Sequence, residues 1–331
     1  MFAFIVTRVV QAIPVLLAVG LVSFALFAYV GDPVTILLGQ DASVAQRQAL
    51  TRQLGLDQPF FIRFGYYLWA VLRGEFGISY RLAQPVTRLF AERLPATLEL
   101  AMTASVLSVA MGVPVGIHTG IHRDSWLSRL FLAGSLIGVS LPPFLLGILL
   151  ILLFSVTLNW LPSFGRGTVV PLGSWWTTGF LTASGLRALI LPAVTLGLFQ
   201  MTLIARLVRA EMLDVLRTDY IRFARARGLS DRAIHFGHAL KNTLVPVITV
   251  IGLQFGGLIA FSLVTETVFQ WPGMGLLLVQ SIVTADIPVM SAYLLLIALV
   301  FLGINLTVDL LYRAVDPRMR VSGSGPPDPG A

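Results

Sequence analysis

Long apolar runs alternate with short polar connections along this chain, and six of the runs reach the roughly 20 residues that a helix needs to cross a bilayer. They fall at about 9–30, 98–117, 131–156, 188–206, 244–265 and 289–311. The pattern predicts an all-α integral membrane protein with six transmembrane helices. Pro142-Pro143 lies inside the third run; two consecutive residues without N–H donors, whose rings clash with the preceding turn, predict a kink there. Pro192, Pro246 and the Gly256-Gly257 pair are expected to weaken the fourth and fifth spans similarly. Interrupted spans can line a pathway, because irregular backbone at membrane depth is tolerated only against protein or water. Pro and Gly are also simply commoner in membrane helices.

The segment 32–96, between the first two spans, has a pattern of its own. Ser43-Val-Ala-Gln46 fits a capping box and predicts a short helix to about Leu54, ended by Gly55. Phe60, Phe61, Phe64, Tyr67, Leu68, Val71 and Leu72 recur at helical spacing over a stretch too short to span. That helix fits equally the membrane interface and a place packed on the protein's own external face. Gly74-Glu-Phe-Gly-Ile-Ser79 reads as a turn, and Pro85 opens a helix that Pro95 is expected to interrupt. Further on, Trp160, Trp175 and Trp176 suit interfacial anchors, and the Pro-Gly of Gln270-Trp-Pro-Gly-Met-Gly275 forces a tight turn. Residues 321–331, rich in Gly, Pro and Ser, are expected to be disordered.

Composition supports the membrane assignment: 56% of residues are hydrophobic, 12% are charged, and the mean hydropathy is +0.85. The net charge of +7 is not read as nucleic-acid binding, because the basic residues sit beside apolar runs, where they encode orientation. An even number of spans puts both ends on one side. Arg123, Arg129, the basic residues of 206–241, Arg313, Arg318 and Arg320 then share a face, which the positive-inside rule makes cytoplasmic. The seven arginines of 32–93 fall on the other face, but long segments translocate largely regardless of charge. The uncharged run 9–31 after Arg8 is longer than a signal-peptide core and lacks a small-residue cleavage site, so it reads as an uncleaved first span.

Several chemistries drop out. Cysteine is absent, which removes thiol catalysis, disulfides and thiolate metal sites. The single lysine, Lys241, is not in a phosphate-cradling Gly-rich loop, so any ATP must be bound by another subunit. No Asp, Glu, Lys, Arg or His occurs in 9–31, 100–117, 130–165, 188–205, 242–265 or 287–308. Nothing in the membrane interior can relay a proton, which counts against an ATP-independent carrier. No buried acid pair, metal-ligand cluster or Ser-His pair at membrane depth is evident, which counts against a membrane enzyme. His118 and His122 have metal-compatible spacing but no third ligand. Neither a catalytic group, a metal site nor a cofactor is expected in this chain.

The remaining polar stretch, 206–246, carries eight basic residues against four acidic ones. Thr218 or Asp219 can cap a short helix ending at Gly228, the residue suited to a left-handed position, and Ser230 can cap a second helix toward Asn242. Ala224, Ala226 and Gly228 make a compact knob that allows close approach. The residues alone fit both an acidic protein partner and anionic lipid headgroups.

Tyr220-Ile-Arg-Phe-Ala-Arg-Ala-Arg-Gly-Leu-Ser230, with His238-Ala-Leu-Lys-Asn242 and Val245-Pro246, resembles the cytoplasmic loop of ABC-importer permeases of the dipeptide/oligopeptide/nickel family. The resemblance extends through Gly55-Leu-Asp-Gln-Pro59, Gly74-Glu-Phe-Gly-Ile-Ser79, Glu92-Arg-Leu-Pro-Ala-Thr-Leu-Glu99, Leu141-Pro-Pro143, Leu161-Pro-Ser-Phe-Gly165, Glu266-Thr-Val-Phe-Gln-Trp-Pro-Gly-Met-Gly275, Asp309-Leu-Leu-Tyr312 and Asp316-Pro-Arg318. The long external segment points to the first of the two permease subunits. The resemblance implies a coupling-helix loop between helices 4 and 5 that enters a groove on a separate ATPase, through Tyr220, Arg222, Ala224, Arg225, Ala226, Arg227, Gly228, Leu229 and Ser230. The family's Glu-Ala-Ala, three residues, Gly consensus is matched only at Ala224 and Gly228; Arg222 and Phe223 replace Glu and Ala, so a Glu-mediated contact is not carried over. The implied partners are a second homologous permease, two ATP-binding-cassette ATPases holding ATP and magnesium, an external solute-binding protein and membrane lipid. The implied substrate is a peptide, with nickel complexes, glutathione and oligosaccharides as alternatives. The expected organisation is an N-terminal span 1–31, an external segment 32–96, a permease domain 97–313 and a cytoplasmic tail 314–331.

Overall fold

The computed structural model describes residues 2–29, 34, 38, 43–53, 55, 57–173 and 175–315. The tail 316–331, including Asp316-Pro-Arg318 and the Gly/Pro/Ser-rich end, lies outside the described residues. Among those described, the helices are α1 (Phe2–Tyr29), α2 (Val44–Gln53), α3 (Phe60–Leu72), α4 (Val86–Ile121), α5 (Trp126–Ser140), α6 (Pro143–Leu150), α7 (Ala183–Leu216), α8 (Asp219–Ala226), α9 (Leu240–Val268), α10 (Met274–Val283) and α11 (Ile287–Val315). An antiparallel hairpin of β1 (Val170–Leu172) and β2 (Trp176–Thr178) precedes α7.

Among the described residues, five helices contain segments long and apolar enough to span: Ile5–Ala25, Val86–Ile121, Ala183–Leu216, Pro246–Val268 and Ile287–Leu310. The expected third span, 131–156, is instead two pieces. α5 stops at Ser140 and α6 restarts at Pro143, continuing as a π-helical turn over Ile151–Thr157. A kink was expected, and the break is complete because neither Pro142 nor Pro143 can donate to the preceding turn, whereas Pro143 is well suited to a first helical position. The other prolines behave differently. α4 runs unbroken through Pro95, α7 through Pro192, and α9 through Pro246 and Gly256-Gly257. A single missing donor in a packed helix is compensated by its neighbours.

The chain divides into two compact units. The first comprises Met1–Glu99, Phe164–Ala188 and Glu266–Leu302. Its core joins Val86, Leu89 and Phe90 of α4 to Met274 and Leu277 of α10 and Val289, Ala292 and Tyr293 of α11. α2 begins with the expected capping box: Ser43 N–H donates to Gln46 Oε1 at 3.0 Å and Gln46 N–H to Ser43 Oγ at 3.3 Å. α3 packs one face on α1, with Phe60, Phe64 and Tyr67 ringing Phe24 at 5.1, 5.5 and 5.4 Å. Its other face, carrying Phe61, Tyr66, Trp69 and Leu72, is exposed.

Buried charges knit this unit together. Arg166 donates to Glu99 Oε2 through Nη2 at 2.6 Å and Nε at 3.1 Å, and to Thr177 through its hydroxyl at 3.0 Å and its carbonyl at 2.7 Å. Glu266 accepts from the Thr97 hydroxyl at 2.6 Å and from the first N–H groups of α10, Gly275 at 2.7 Å and Leu276 at 3.0 Å. A carboxylate there satisfies orphan donors and complements the helix dipole. The expected Pro-Gly turn leads into it, with Gly273 N–H donating to the Trp271 carbonyl at 2.7 Å. Asp286 accepts from the Ser79 hydroxyl and from Tyr80 N–H at 3.1 Å, fixing the 79–82 turn to the start of α11. The acidic residues that bound the uncharged stretches, Glu99 and Glu266, are therefore buried, each already engaged by donors of its own unit.

The second unit comprises Leu100–Ser163, Leu189–Thr265 and Gly303–Ala331. Here α4 and α7 run side by side in the same direction. Ala104, Ser108, Gly112, Gly116 and Gly120, four residues apart on α4, are all buried, and the three glycines meet Met201, Ile204, Val208 and Met212. The Ser108 hydroxyl lies 2.7 Å from the carbonyls of both Ala104 and Gly197. Small residues at this spacing let two membrane helices approach closely.

Candidate functional site

The polar loop of the second unit folds onto the end of α7. α8 is amphipathic: Ile221 and Ala224 point inward and pack with Met212, Ile234 and Ala239, flanked by Ile117, Ile121, Val215 and Leu216. Complete burial of Ile221 alone contributes about 1.5–3 kcal/mol. The opposite face presents Tyr220, Arg222, Phe223, Arg225, Ala226 and Arg227. Asp219 in the first turn and Arg225 in the last complement the helix dipole, and Asp219 pairs with Arg222 at 3.1 Å across exposed side chains.

The two ends of α8 differ from each other. Thr218 holds the N-cap position but does not cap; its hydroxyl donates back to the Val215 carbonyl at 2.6 Å. At the C-terminus, Leu229 N–H donates to the Ala224 carbonyl at 3.3 Å and Gly228 N–H to the Arg225 carbonyl at 2.9 Å. This is the Schellman pair of bonds, and it needs a left-handed residue between them. Gly228 supplies it with φ of +76°. Ser230 then opens the next helix, with Ala233 N–H at 3.4 Å from its hydroxyl and Ile234 N–H at 3.0 Å from its carbonyl. That helix does not end near Asn242 as expected. It passes through a π-helical stretch, Ala233–Ala239, directly into α9, and Asn242 donates to the Tyr220 hydroxyl at 2.6 Å, tying α8 to it.

Of the nine residues implied by the resemblance, those from Tyr220 to Ala226 lie on α8 and Arg227, Gly228, Leu229 and Ser230 form the turn into the next helix, but Ala224 faces its own unit and is buried there. Of the small residues, Ala226 and Gly228 are the ones on the exposed side. The sequence reading passed over the exposed aromatics. Phe223 is 63% exposed and Phe236 is 52% exposed. The available signal was the i, i+3 repeat of Ile221 and Ala224, which assigns Phe223 to the outer face. Arg222, Arg225 and Arg227 share its exposed face, and Arg227 lies 5.7 Å from its ring. A basic surface with an aromatic at its centre has the composition of a protein-docking patch.

The imidazole of His235 is held below its usual range by burial, a shift that Asp231 partly opposes and that Arg225 and His122 reinforce. A depressed imidazole favours the folded loop above the unfolded value of about 6.5, and this contribution is lost as pH falls through the folded value. Amide exchange across 229–242, corrected for intrinsic rates, should accelerate between about pH 7.5 and 5.5. His235→Gln should flatten that dependence; an unchanged slope would remove His235 as its source. Among the described residues, no group of three or more His, Cys, Asp or Glu side chains is placed to hold a metal ion.

Residues 112–321 match the family described as binding-protein-dependent transport system inner membrane component, and residues 1–101 match its N-terminal counterpart. A putative peptide transport system permease protein of Brucella abortus (strain 2308) is 43% identical over 97% of this chain and 99% of its own length. A glutathione transport system permease protein of Salmonella typhimurium is 39% identical over 97% and 99%. Among solved structures, a chain of the inward-facing methionine ABC transporter MetNI aligns over 69% of this chain and 96% of its own, with a TM-score of 0.55 at 21% identity, showing the shared fold. The chain thus belongs to the family of inner membrane components of binding-protein-dependent transport systems, as a permease subunit of an ABC importer.

Proposed function

We propose that this chain forms half of the translocation pathway of a peptide importer in a bacterial inner membrane, with both termini cytoplasmic. It works with a second homologous permease, an external solute-binding protein and two ATPases that hold ATP and magnesium, and it couples to the ATPases through α8 and Gly228. The names of its relatives support a peptide substrate, and glutathione, named for one of them, is itself a tripeptide. The permease domain 97–313 carries the pathway, and the segment 32–96 lies outside.

The observation that carries this reading is the way α8 is mounted. Its inner face shares a core with α7, and the helix that follows Gly228 continues unbroken into α9. A push on the exposed face of α8 is therefore a push on two membrane helices at once. ATP-driven closure of the ATPases shifts the permease between outward and inward access by favouring one position of this loop.

The test is ATP-driven uptake by the assembled importer in proteoliposomes. Phe223→Asp leaves the buried face of α8 intact and should strip the ATPases during purification and cut uptake roughly tenfold or more, as expected for a central aromatic anchor. Among the described residues beyond its chain neighbours, nothing lies within 4 Å of a Cβ added at Gly228, so a clash there comes from a partner. Gly228→Asn, which keeps the left-handed backbone, should also lower uptake. Wild-type ATPase retention and uptake in both variants would sink the coupling role.

A further inference from the structure

Where α5 stops and α6 starts, the second unit carries a cavity of about 590 Å³. Pro142 and Phe144 from the break, Phe199 and Gln200 from α7, and Gln254 and Phe261 from α9 are among its lining residues, none of which is ionisable. Its size and its apolar walls with a few polar groups are those of a small-ligand site. The side chain of Gln200 is buried, only 3% of the residue being exposed, and its Nε2 has no hydrogen-bond partner among the described residues. A buried amide donor left unpaired is rare and costly in a folded protein. The break also frees two carbonyls, on residues outside the cavity lining. Because Pro142 and Pro143 have no N–H, the carbonyls of Gly138 and Val139 have lost their helical donors.

We infer that this cavity is a station for the main chain of a transported peptide, with Gln200 Nε2 donating to a substrate carbonyl. The inference rests on the peptide reading above and adds to it where in this chain the substrate is held. The lining supplies an amide with an unpaired donor and an apolar wall, which suit the carbonyl of a peptide unit and its side chains. It offers no counter-charge, so the charged ends of a peptide are excluded and an internal amide is the group held. By the same reasoning the walls disfavour charged side chains and do not distinguish among uncharged ones. Discrimination among peptides falls to contacts made elsewhere.

The decisive variants are one that keeps the shape of Gln200 without its amide and one that keeps the amide on a shorter stem. The whole importer, with its binding protein, is reconstituted and ATP-driven uptake of radiolabelled trialanine is measured for wild type, Gln200→Leu and Gln200→Asn, alongside the thermal midpoint of each purified complex. Gln200→Leu should lower uptake about fivefold, the worth of one neutral hydrogen bond, while its thermal midpoint holds or rises because an unpaired buried donor is gone. Gln200→Asn should recover part of the uptake. Uptake within twofold of wild type for Gln200→Leu would overturn the station. So would a lowered thermal midpoint or loss of the second permease, since the amide would then be structural or would face the partner chain. A wild-type importer that hydrolyses ATP but takes up no trialanine would instead overturn the peptide reading itself, and the station with it.

Discussion

Arg166→Met should destabilise the chain by about 3–5 kcal/mol, because it leaves a buried carboxylate without its cation. The two side chains are 6% and 2% exposed, and the guanidinium reaches Glu99 through two nitrogens, at 2.6 and 3.1 Å. Its other bonds hold Thr177 in the middle of β2, and Gly179 N–H just beyond the strand donates to Glu99 at 3.2 Å. Losing Arg166 therefore loosens the hairpin from α4 as well as stranding a charge. The double variant Glu99→Gln, Arg166→Met should recover more than half of the loss, since a neutral amide can still accept from Gly179 and no buried charge remains. Thermal unfolding and the yield of purified chain would report both effects. A single variant as stable as wild type, or a double variant no better than the single, would show that the pair contributes nothing beyond its packing.

This pair marks the limit of what the sequence made legible. Local patterns translated well wherever the cause was itself local. The capping box at Ser43 and Gln46, the break at Pro142-Pro143, the turn at Pro272-Gly273 and the left-handed Gly228 each rest on a few adjacent residues. Arg166 and Glu99 are separated by 67 positions, and Glu266 and Thr97 by 169. No periodicity connects them, and the charge-free stretches 100–117 and 242–265 stop one residue short of Glu99 and Glu266. Pro95 fails for the same reason. Immediately after it, the Ala96 carbonyl accepts from Trp271 Nε1 at 2.9 Å and the Thr97 hydroxyl accepts from Met274 N–H at 2.8 Å. Those distant partners hold α4 continuous where the local rule predicts an interruption. In the 206–246 loop, the resemblance singles out nine residues of one stretch but not the faces they take. Ala224 was grouped with Ala226 and Gly228 because all three are small, whereas the 3.6-residue period puts Ala224 beside Ile221, on the inner face.

The glycines of α4 were legible in principle, and they lead to the second large effect. Gly112, Gly116 and Gly120 repeat every four residues, so they lie along one stripe of the helix. A Cβ on Gly116 would fall 2.6 Å from Val208 Cβ and 2.7 Å from the Ala205 carbonyl, against 3.4 Å and more for ordinary contact. A carbonyl cannot rotate out of the way, so α4 and α7 must separate along the stripe, where a Cβ on Gly112 would meet the Met201 carbonyl at 2.9 Å and one on Gly120 the Met212 side chain at 2.8 Å. Gly116→Ala should cost about 1–3 kcal/mol by overpacking, and Gly116→Val more. The sign is the informative part. In an open helical position, replacing Gly by Ala gains up to about 1 kcal/mol from helix propensity. Gly134 on α5 is such a position, with nothing within 4 Å of an added Cβ, so Gly134→Ala should hold or raise the thermal midpoint while Gly116→Ala lowers it. Because the same two helices carry Met212, Ile117 and Ile121 beneath α8, the separation should also loosen α8 and its turn, and amide exchange across 219–229 should accelerate in Gly116→Ala but not in Gly134→Ala. Equal thermal shifts in the two variants would mean that α4 and α7 do not depend on this close approach.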